Sequence, residues 1–437
     1  MKEADAALLA AGAARVRLVH GRVIDGLGAA PIEDGYVELA GAYIAALGPM
    51  SALKRESGVP QVDVGGRTLM PGLIDCHAHL VYGGFKSLEE VDRSPVETAA
   101  INAALNAGKV LAAGYTTVRD VGTIANVAVA VRDAVSQGKV PGPRIVASGQ
   151  IISPTGGLGD TLPPQWERKW GGLGILVDGA DAVRKVVRQQ IRNGVDNIKL
   201  AASGVEVGPY AYTWMTTFSE EEVRAAIEEA HRWGRTVAIH AQSYDAVKFA
   251  LRAGVDTVEH GTRMDEEAIE LFKRSPSILV PTLCTLMSVL ELGAKLDLLP
   301  KQREEMAVNE PLWLASVERA RAAGIPIAAG GDLGNRFPHG TNARELEYLV
   351  RAGLSPLEAI QAATGTAARA LKLDKLTGAL EPGRRADVLV LDGDPLADIR
   401  LLQEPERLTL VLKDGRAVGG RLYETLPPAP RRGAHGV

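Results

Sequence analysis

Short apolar runs alternate with amphipathic segments through most of the middle of the chain. The runs are five or six residues long and predict β-strands at 73–77, 116–121, 144–148, 197–201, 237–242, 257–261, 278–282 and 325–330. Segments with a helical period lie between most of them and predict helices, most clearly at 182–193, 220–233, 244–253 and 265–273. This repeated strand–helix order predicts an α/β fold, specifically a (β/α)8 TIM barrel.

Both ends of the chain have a different pattern, with short strands and tight turns. Strands are predicted at 16–19, 36–39 and 43–47, and again at 386–392 and in a hairpin over 408–418 around Asp414 and Gly415. We expect these pieces to pair as a small β-sandwich domain of residues 1–66 plus 374–437, which brackets a barrel of residues 67–373. The Ala-rich stretch 6–14 predicts a short helical lead-in, and the tail 427–437 predicts disorder.

Composition narrows the class of protein. The 437 residues are enough for a barrel of about 250 residues and a smaller unit. A net charge of −4 and the lack of a basic stripe argue against nucleic acid as a partner, and no apolar run of 18 residues predicts a membrane span. Cys76 and Cys284 are far apart and predict reduced thiols. We expect a cytoplasmic homo-oligomer that acts on a small molecule.

Two histidines, His77 and His79, come at the end of the first predicted barrel strand. Residues i and i+2 of a strand project from the same face, so one metal ion can bind both, although such a pair can also pack or face water. Catalytic side chains of these barrels lie at the carboxyl ends of the strands. The polar residues predicted there are His77, His79, Lys199, His240, His260 and Asp332. Each alone fits a core or strand-edge position, but together they indicate one site.

This order of residues resembles the binuclear type of the amidohydrolase superfamily, and especially its branch of imidazolonepropionase-like hydrolases, Xaa-Pro dipeptidases and ochratoxinase. The resemblance also rests on five short sequence segments, which are Met70-Pro-Gly-Leu-Ile-Asp75, Thr117-Val-Arg-Asp120, Pro143-Arg-Ile, Val258-Glu-His260-Gly and His339-Gly-Thr-Asn342. The resemblance implies that Lys199 is carboxylated and bridges two metal ions. It assigns one ion to His77, His79 and Asp332, and the other to His240 and His260.

The chemistry of these residue types agrees with that assignment. Burial and nearby cations lower the pKa of a lysine from about 10.4, and the neutral amine can add carbon dioxide to form a carbamate that spans two ions. Imidazole and carboxylate ligands suit Zn²⁺, with Co²⁺, Mn²⁺ or Ni²⁺ as alternatives. We therefore expect a metal-bridged hydroxide to attack a carbonyl and cleave its C–N bond, with Asp332, Lys199 and His260 as catalytic residues.

Two aromatic clusters and two substitutions bear on the substrate. The clusters follow the third and fourth strands and contain Trp166, Trp170, Tyr210, Tyr212, Trp214 and Phe218. They predict an apolar substrate pocket or, alternatively, packing over the barrel mouth or at a subunit contact. Leu158 and Gln242 stand where family members that cleave C-terminal amino acids carry a histidine and a tyrosine. We therefore expect a hydrophobic amide, carbamate or urea without a free carboxylate, such as a phenylurea or a thiocarbamate.

His339, Tyr115 and Arg119 are further candidates for contacts with the substrate or behind the ligands. Three rival functions stay open: a dipeptidase or carboxypeptidase of N-acyl amino acids, Xaa-Pro dipeptides or ochratoxin-type amides; a mononuclear imidazolonepropionase or deaminase; and a non-catalytic scaffold. The presence of Lys199 argues against the mononuclear class, and the complete ligand set argues against the scaffold. A count of two, one or no metal ions per chain separates the binuclear, mononuclear and scaffold functions.

Overall fold

A computed structural model describes residues 1–54, 56–84, 87–166, 172–206, 208–295, 300–334 and 336–427. Trp170 and all but the first residue of the 427–437 tail lie outside the described residues. The strands are β1 (Arg15–Val23), β2 (Ile32–Ala40), β3 (Tyr43–Pro49), β4 (Gln61–Asp63), β5 (Thr68–Pro71), β6 (Leu73–Ala78), β7 (Tyr115–Asp120), β8 (Arg144–Ala147), β9 (Ile151–Ser153), β10 (Gly174–Leu176), β11 (Asn197–Ala201), β12 (Thr236–Ala241), β13 (Thr257–His260), β14 (Ile278–Val280), β15 (Val388–Leu391), β16 (Leu408–Lys413) and β17 (Arg416–Gly419).

The α-helices fall mostly between the central strands, as the amphipathic segments predict. They are α1 (Glu3–Ala11), α2 (Leu88–Asp92), α3 (Val96–Ala112), α4 (Val127–Ser136), α5 (Ala180–Arg192), α6 (Glu220–Arg232), α7 (Tyr244–Arg252), α8 (Glu266–Lys273), α9 (Leu283–Leu292), α10 (Pro300–Ala322), α11 (Arg344–Arg351), α12 (Pro356–Ala362), α13 (Gly365–Ala370) and α14 (Arg421–Glu424). No helix in the described ranges is both long and apolar enough to cross a bilayer.

The two ends of the chain build one connected sheet. Its strand order is β17-β16-β15-β5-β1-β2-β3, and β4 pairs with β1 beside β5. The join between the ends is the antiparallel pair of β5 and β15, in which Met70 lies opposite Leu389. Ala6 and Leu9 of α1 are fully buried in the apolar cluster of this sheet. The sheet therefore depends on residues from both termini.

The central strands form two parallel sheets, with orders β6-β7-β8 and β10-β9-β11-β12-β13-β14. Every residue of β6, β7 and β11 is buried, as is typical of parallel strands covered by helices on one face and by other strands on the other. The fold is therefore α/β with parallel sheets, as the strand–helix order predicts. A parallel bridge from Ser148 to Asn197 joins the end of β8 to β11.

The predicted strand at 325–330 is an extended segment with only one isolated bridge, from Ile327 to Leu279. Pro326 has no N–H to donate, which interrupts a regular ladder. The segment nevertheless bonds to strands on both sides, because Ala328 N donates to Leu279 O at 2.9 Å and Cys76 N donates to Ala329 O at 2.9 Å. These bonds place it between β14 and β6.

The chain passes from the terminal sheet into the parallel sheets at Gly72. The apolar run 69–80 is split there, because β5 ends at Pro71 and β6 begins at Leu73. A Cβ atom on Gly72 would lie 2.2 Å from Thr116 Oγ1 and 2.5 Å from Thr116 Cγ2. Glycine is therefore required at this crossing because a neighbouring strand approaches the backbone closely.

We predict that Gly72→Ala destabilises the protein by about 1–3 kcal/mol, since the added methyl group overlaps a buried side chain on β7. Urea denaturation followed by circular dichroism measures the change. Gly108→Ala is the matched control, because Gly108 lies inside α3 and its Cβ atom would meet nothing closer than 3.9 Å. Equal stability of the Gly72 variant and the wild type would contradict the proposed steric constraint.

Candidate metal centre

The six residues predicted as ligands lie around one cleft. His77 lies near the end of β6 and His79 just beyond it, Lys199 lies in β11, His240 in β12 and His260 at the end of β13. Asp332 follows the extended 325–330 segment. All six side chains line the same cleft, which contains about 690 Å³ of empty space. The described structure therefore brings together every predicted ligand.

The imidazole rings are close enough to form two neighbouring ligand groups. The ring centroids of His77 and His79 are 5.4 Å apart, and those of His240 and His260 are 4.4 Å apart. His77 and His260, one from each pair, are 5.1 Å apart. Ligand atoms of His77, His79 and Asp332 all lie within 4.8 Å of one another. The nearest approach is 3.4 Å, between His79 Nε2 and Asp332 Oδ1.

Each histidine uses one ring nitrogen to bond to the protein. Nδ1 of His79 bonds to Gly122 O at 2.9 Å, and Nδ1 of His260 bonds to Thr282 Oγ1 at 2.6 Å. Nε2 of His240 bonds to Gly204 O at 2.9 Å. The opposite nitrogen of each ring is left for the cleft. This arrangement is typical of metal ligands, because the outer hydrogen bond fixes both tautomer and ring orientation.

The environment keeps these rings neutral. Burial, together with the charge of the nearby Lys199 amine, lowers the pKa of His240 to about 3. Burial likewise lowers the pKa of His79 to about 3 and that of His260 well below its usual value. Because a metal ion binds the neutral imidazole, the rings are in the protonation state that ligation requires.

Lys199 is the least satisfied polar group in the cleft. Its side chain is 2% exposed, and its Nζ atom has no hydrogen-bond partner among the described residues. Burial lowers the pKa of the amine to about 8, although the charges of Glu259 and Asp332 oppose the change. A buried amine with a lowered pKa and no partner fits the chemistry of carbamate formation.

A buried ion pair lies directly behind His77, on the side away from the cleft. Glu259 Oε2 is 2.7 Å from His77 Nδ1, and Glu259 Oε1 accepts from Arg119 Nη2 at 2.8 Å. Burial opposes ionisation of Glu259, but Arg119 and His77 outweigh it and hold the pKa at about 2. Arg119 also donates to Cys76 O at 2.7 Å, so this predicted candidate supports β6 and His77.

Three residues around the centre have left-handed backbone conformations. The φ angles are 69° at His260, 53° at Thr282 and 49° at Asp332. Such conformations are unfavourable for residues other than glycine and concentrate at functional sites. Asp332 is held there by its N–H bond to His77 O at 2.7 Å and by Thr285 Oγ1, which donates to Asp332 Oδ2 at 2.8 Å.

Two predicted substrate residues, Leu158 and Gln242, line the cleft and are almost fully buried. His339 lies behind His79, where its Nε2 bonds to His79 O at 3.1 Å, and it belongs to a neighbouring pocket. Tyr115 is buried in the core and does not line the cleft.

The described residues of the two aromatic clusters do not line this cleft, which fits the alternative of packing outside it. Trp166 is 50% exposed and stacks under Arg93, and Tyr210 donates to Leu162 O at 3.0 Å. Trp214 is 58% exposed. Trp166 and Tyr210 share a separate surface groove. Long loops have no periodicity that fixes the direction of a side chain, so strand-end position alone does not determine which groove these residues enter.

Several cleft residues carry no sequence signal that singled them out. Glu206, Arg336 and Thr285 line the cleft beside the predicted ligands. Glu206 lies in the loop after β11, and Arg336 lies in the loop after Asp332. For Glu259 there was a signal, because it lies in the segment Val258-Glu-His260-Gly that carries the family resemblance.

Comparison with known proteins agrees with this geometry. A family model described as "Amidohydrolase family" matches residues 68–418 of this chain. The chain belongs to the amidohydrolase family. It is accordingly a hydrolase that acts on carbon–nitrogen bonds.

Individual relatives cover nearly the whole of this amidohydrolase. The chain is 33% identical to ochratoxinase of Aspergillus niger in an alignment 436 positions long, which covers 93% of this chain and 87% of the relative. The crystal structure of A. niger ochratoxinase matches with a TM-score of 0.84, over 94% of this chain and 96% of that one. A Xaa-Pro dipeptidase with bound methionine matches at 30% identity and a TM-score of 0.83, over 93% and 100%. Imidazolonepropionase of Geobacillus kaustophilus is 24% identical, over 90% and 92%.

We predict that Glu259→Gln weakens divalent metal binding about 10–100-fold, because the amide cannot hold the His77 ring as an ionised carboxylate does. Competition with a chromogenic chelator measures the affinity of the folded protein. The exposed Glu228→Gln is the matched control. Unchanged affinity in a folded Glu259→Gln protein would show that the Glu259–His77 contact does not support metal binding.

Proposed function

We propose that this amidohydrolase cleaves a C–N bond at a carbonyl with two divalent metal ions bridged by carboxylated Lys199. The observation that carries the proposal is the buried, partnerless Nζ atom of Lys199, in a cleft that also holds both pairs of histidines. A neutral lysine left without a hydrogen bond is costly, whereas a carbamate gains two ligand oxygens there.

The proposed architecture is a (β/α)8 TIM barrel of residues 67–373 with a β-sandwich of residues 1–66 and 374–437. Its support is the edge-to-edge hydrogen bonding of β6, β7, β8, β11, β12, β13, β14 and the 325–330 segment, which returns to β6 through Cys76. In such a barrel the carboxyl ends of the strands converge on the cleft. The terminal sheet continues past the proposed boundary at residue 66 and ends at Pro71, which pairs with Val388.

In the proposed centre His77, His79 and Asp332 hold one ion, His240 and His260 hold the other, and Lys199 joins them. The donor set of nitrogen and oxygen atoms suits Zn²⁺, with Co²⁺ or Mn²⁺ as alternatives. Bound ions of this kind lower the pKa of water and polarise a carbonyl.

Asp332 is the proposed proton carrier. Its Oδ1 atom faces His79 Nε2 and His77 Nε2, at 3.4 and 3.7 Å, while Thr285 holds Oδ2. A carboxylate fixed in this way can accept a proton from the attacking water and then deliver it to the leaving nitrogen. His260 would hold the second ion, whose charge would polarise the substrate carbonyl.

For the substrate we propose a hydrophobic amide, carbamate or urea without a free carboxylate. Leu158 and Leu333 supply apolar walls, and Gln242 supplies a polar group that is already hydrogen-bonded. The carboxylate of Glu206 in the same cleft also disfavours an anionic substrate group, because like charges repel at short range.

A dipeptidase activity is the second candidate, as in the Xaa-Pro dipeptidase that this chain resembles. The observation in its favour is Arg336, whose guanidinium lies on the cleft wall and suits a substrate carboxylate. Arg336 and Glu206 thus favour opposite substrate charges, and a comparison of substrates decides between them.

We also propose a cytoplasmic location and a homo-oligomeric state. Cys76 and Cys284 are both free and buried, as expected in a reducing compartment. The exposed Trp166 and Trp214 are suitable for a subunit contact.

We predict that Lys199→Ala loses bound metal and at least about 100-fold of the hydrolytic activity together, because the bridging ligand is absent. Plasma mass spectrometry counts the ions, with two per wild-type chain expected. A carbamate signal in carbon NMR after growth with labelled bicarbonate should be lost in the variant. The exposed Lys185→Ala is the control. Activity retained with bound metal would exclude the bridge, and one ion in the wild type would favour a mononuclear enzyme.

We predict that the metal-loaded enzyme hydrolyses phenylureas, carbamates or anilides at least about tenfold faster, in kcat/KM, than prolyl dipeptides or N-acyl amino acids. The reason is that Leu158 and Gln242 stand where some relatives carry a histidine and a tyrosine that bind a carboxylate. A substrate carboxylate therefore loses a charge-assisted hydrogen bond worth about 1.5–3 kcal/mol in this cleft. Product amines are measured by chromatography. Preference for the substrates with a free carboxylate would instead establish the dipeptidase.

A further inference from the structure

The cleft contains a carboxylate that the proposed chemistry does not use. Glu206 is only 1% exposed and lines the cleft together with Lys199 and His240. It is not part of the ligand group formed by His77, His79 and Asp332. An ionised carboxylate is expensive to bury unless a partner compensates its charge.

The protein gives Glu206 little compensation. Among the described side chains, its one hydrogen bond comes from Gln242 Nε2 at a long 3.3 Å. A carboxylate can accept about four hydrogen bonds, and the described side chains supply one of them. Arg336 lines the same cleft, but no ion pair within 4.0 Å joins these two described residues.

Gln242 is held in the orientation that serves Glu206. Thr262 Oγ1 donates to Gln242 Oε1 at 3.0 Å, which directs the amide nitrogen towards the carboxylate. Ser203 Oγ accepts from Gln242 N at 2.9 Å and fixes its backbone. Glu206 therefore stands in a prearranged position with its free acceptor sites available to a ligand.

We propose that Glu206 determines specificity by accepting a hydrogen bond from a substrate nitrogen that bears hydrogen, either a protonated amine or a neutral amide or urea N–H. This inference rests on the proposed function in that it places the donor in the substrate of the same cleft. It narrows the proposed substrate class from hydrophobic carbonyl compounds to those that also carry an N–H donor.

The physical reason is that such a donor satisfies a desolvated carboxylate directly. Burial raises the pKa of Glu206 and the charge of Arg336 opposes that rise, so a bound ammonium or N–H would supply the compensation that the protein itself provides weakly. A substrate carboxylate beside Glu206 would meet repulsion instead.

The test is calorimetric binding of two matched ligand pairs to metal-loaded enzyme, so that it requires no turnover. The first pair is 2-phenylethylamine and 2-phenylethyl methyl ether, and the second is phenylacetamide and its N,N-dimethyl derivative. The variants are Glu206→Gln, which keeps an acceptor without charge, and Glu206→Leu, which removes both. The exposed Glu304→Gln is the control, and metal content and melting temperature verify that each variant is folded.

We expect the wild type to bind the N–H member of at least one pair about tenfold more tightly than its partner, as for a hydrogen bond to a charged group. Glu206→Leu should abolish that preference. Glu206→Gln should abolish a preference for the amine but retain part of one for the amide, which distinguishes the two sources of the donor. If Glu206→Leu does not fold, the role of Glu206 is decided by two other measurements. These are the affinity ratios of the wild type within each pair and the affinity of Glu206→Gln for the amine relative to the ether.

Equal affinity within both pairs, absence of binding by all four ligands, or a preference that survives in Glu206→Leu would overturn the role of Glu206. Tighter binding of 3-phenylpropionate, lost in Arg336→Met, would also overturn it and assign the cleft to carboxylate recognition. Failure of the proposed function shows separately, as missing metal or missing hydrolysis, and leaves these binding ratios interpretable.

Discussion

A lysine amine buried without a partner is the constraint around which this cleft is built. Its cationic form is expensive at 2% exposure, and the same burial that lowers the pKa values of His79, His240 and His260 also lowers the pKa of the amine. Burial therefore moves three of the imidazoles and the amine towards the neutral forms that can bind a cation. It opposes ionisation of Asp332, whose pKa is lowered instead by the neighbouring His77 and His79.

Buried acids outside the ligand set connect this cleft to the fold. Asp75 accepts from His77 N at 2.9 Å and from Gly331 N at 3.0 Å, so it fastens the histidine strand to the segment that carries Asp332. Glu345 accepts from the N–H groups of Leu283 and Cys284 at the start of α9, the turn from which Thr285 reaches Asp332. Scaffold stability and ligand geometry therefore depend on the same hydrogen bonds.

Prediction from the sequence was reliable where regular structure determines the direction of a side chain. The alternation of a strand places His77 and His79 on one face, and the order of parallel strands brings Lys199, His240 and His260 beside them. It left the directions of Trp166 and Trp214 undetermined, because a long loop has no period. The 325–330 segment was only partly predicted, since an apolar run does not reveal where Pro326 interrupts a ladder.

Glu206 and Arg336 mark the limit of that kind of reasoning. Both come from loops, and neither belongs to a pattern that distinguishes a cleft residue from a surface residue. Their significance depends on burial and on the partners that they lack, which only three-dimensional contacts reveal. The candidate metal ligands and the cleft residues Leu158 and Gln242 were therefore accessible from the sequence, whereas Glu206 and Arg336 were not.

The pairing of the two chain ends affects the order in which the molecule can be completed during synthesis. Thr68 Oγ1 donates to Gly393 O at 2.6 Å, across 325 residues of chain, in the same strand pair that leads through Gly72 into β6. The strand that leads to the first two histidines is thus anchored through β5 to β15, which is synthesised after all six candidate ligands. In a nascent chain those side chains are present before β15 can pair with β5, so their final geometry depends on strands from the carboxyl-terminal part of the sequence.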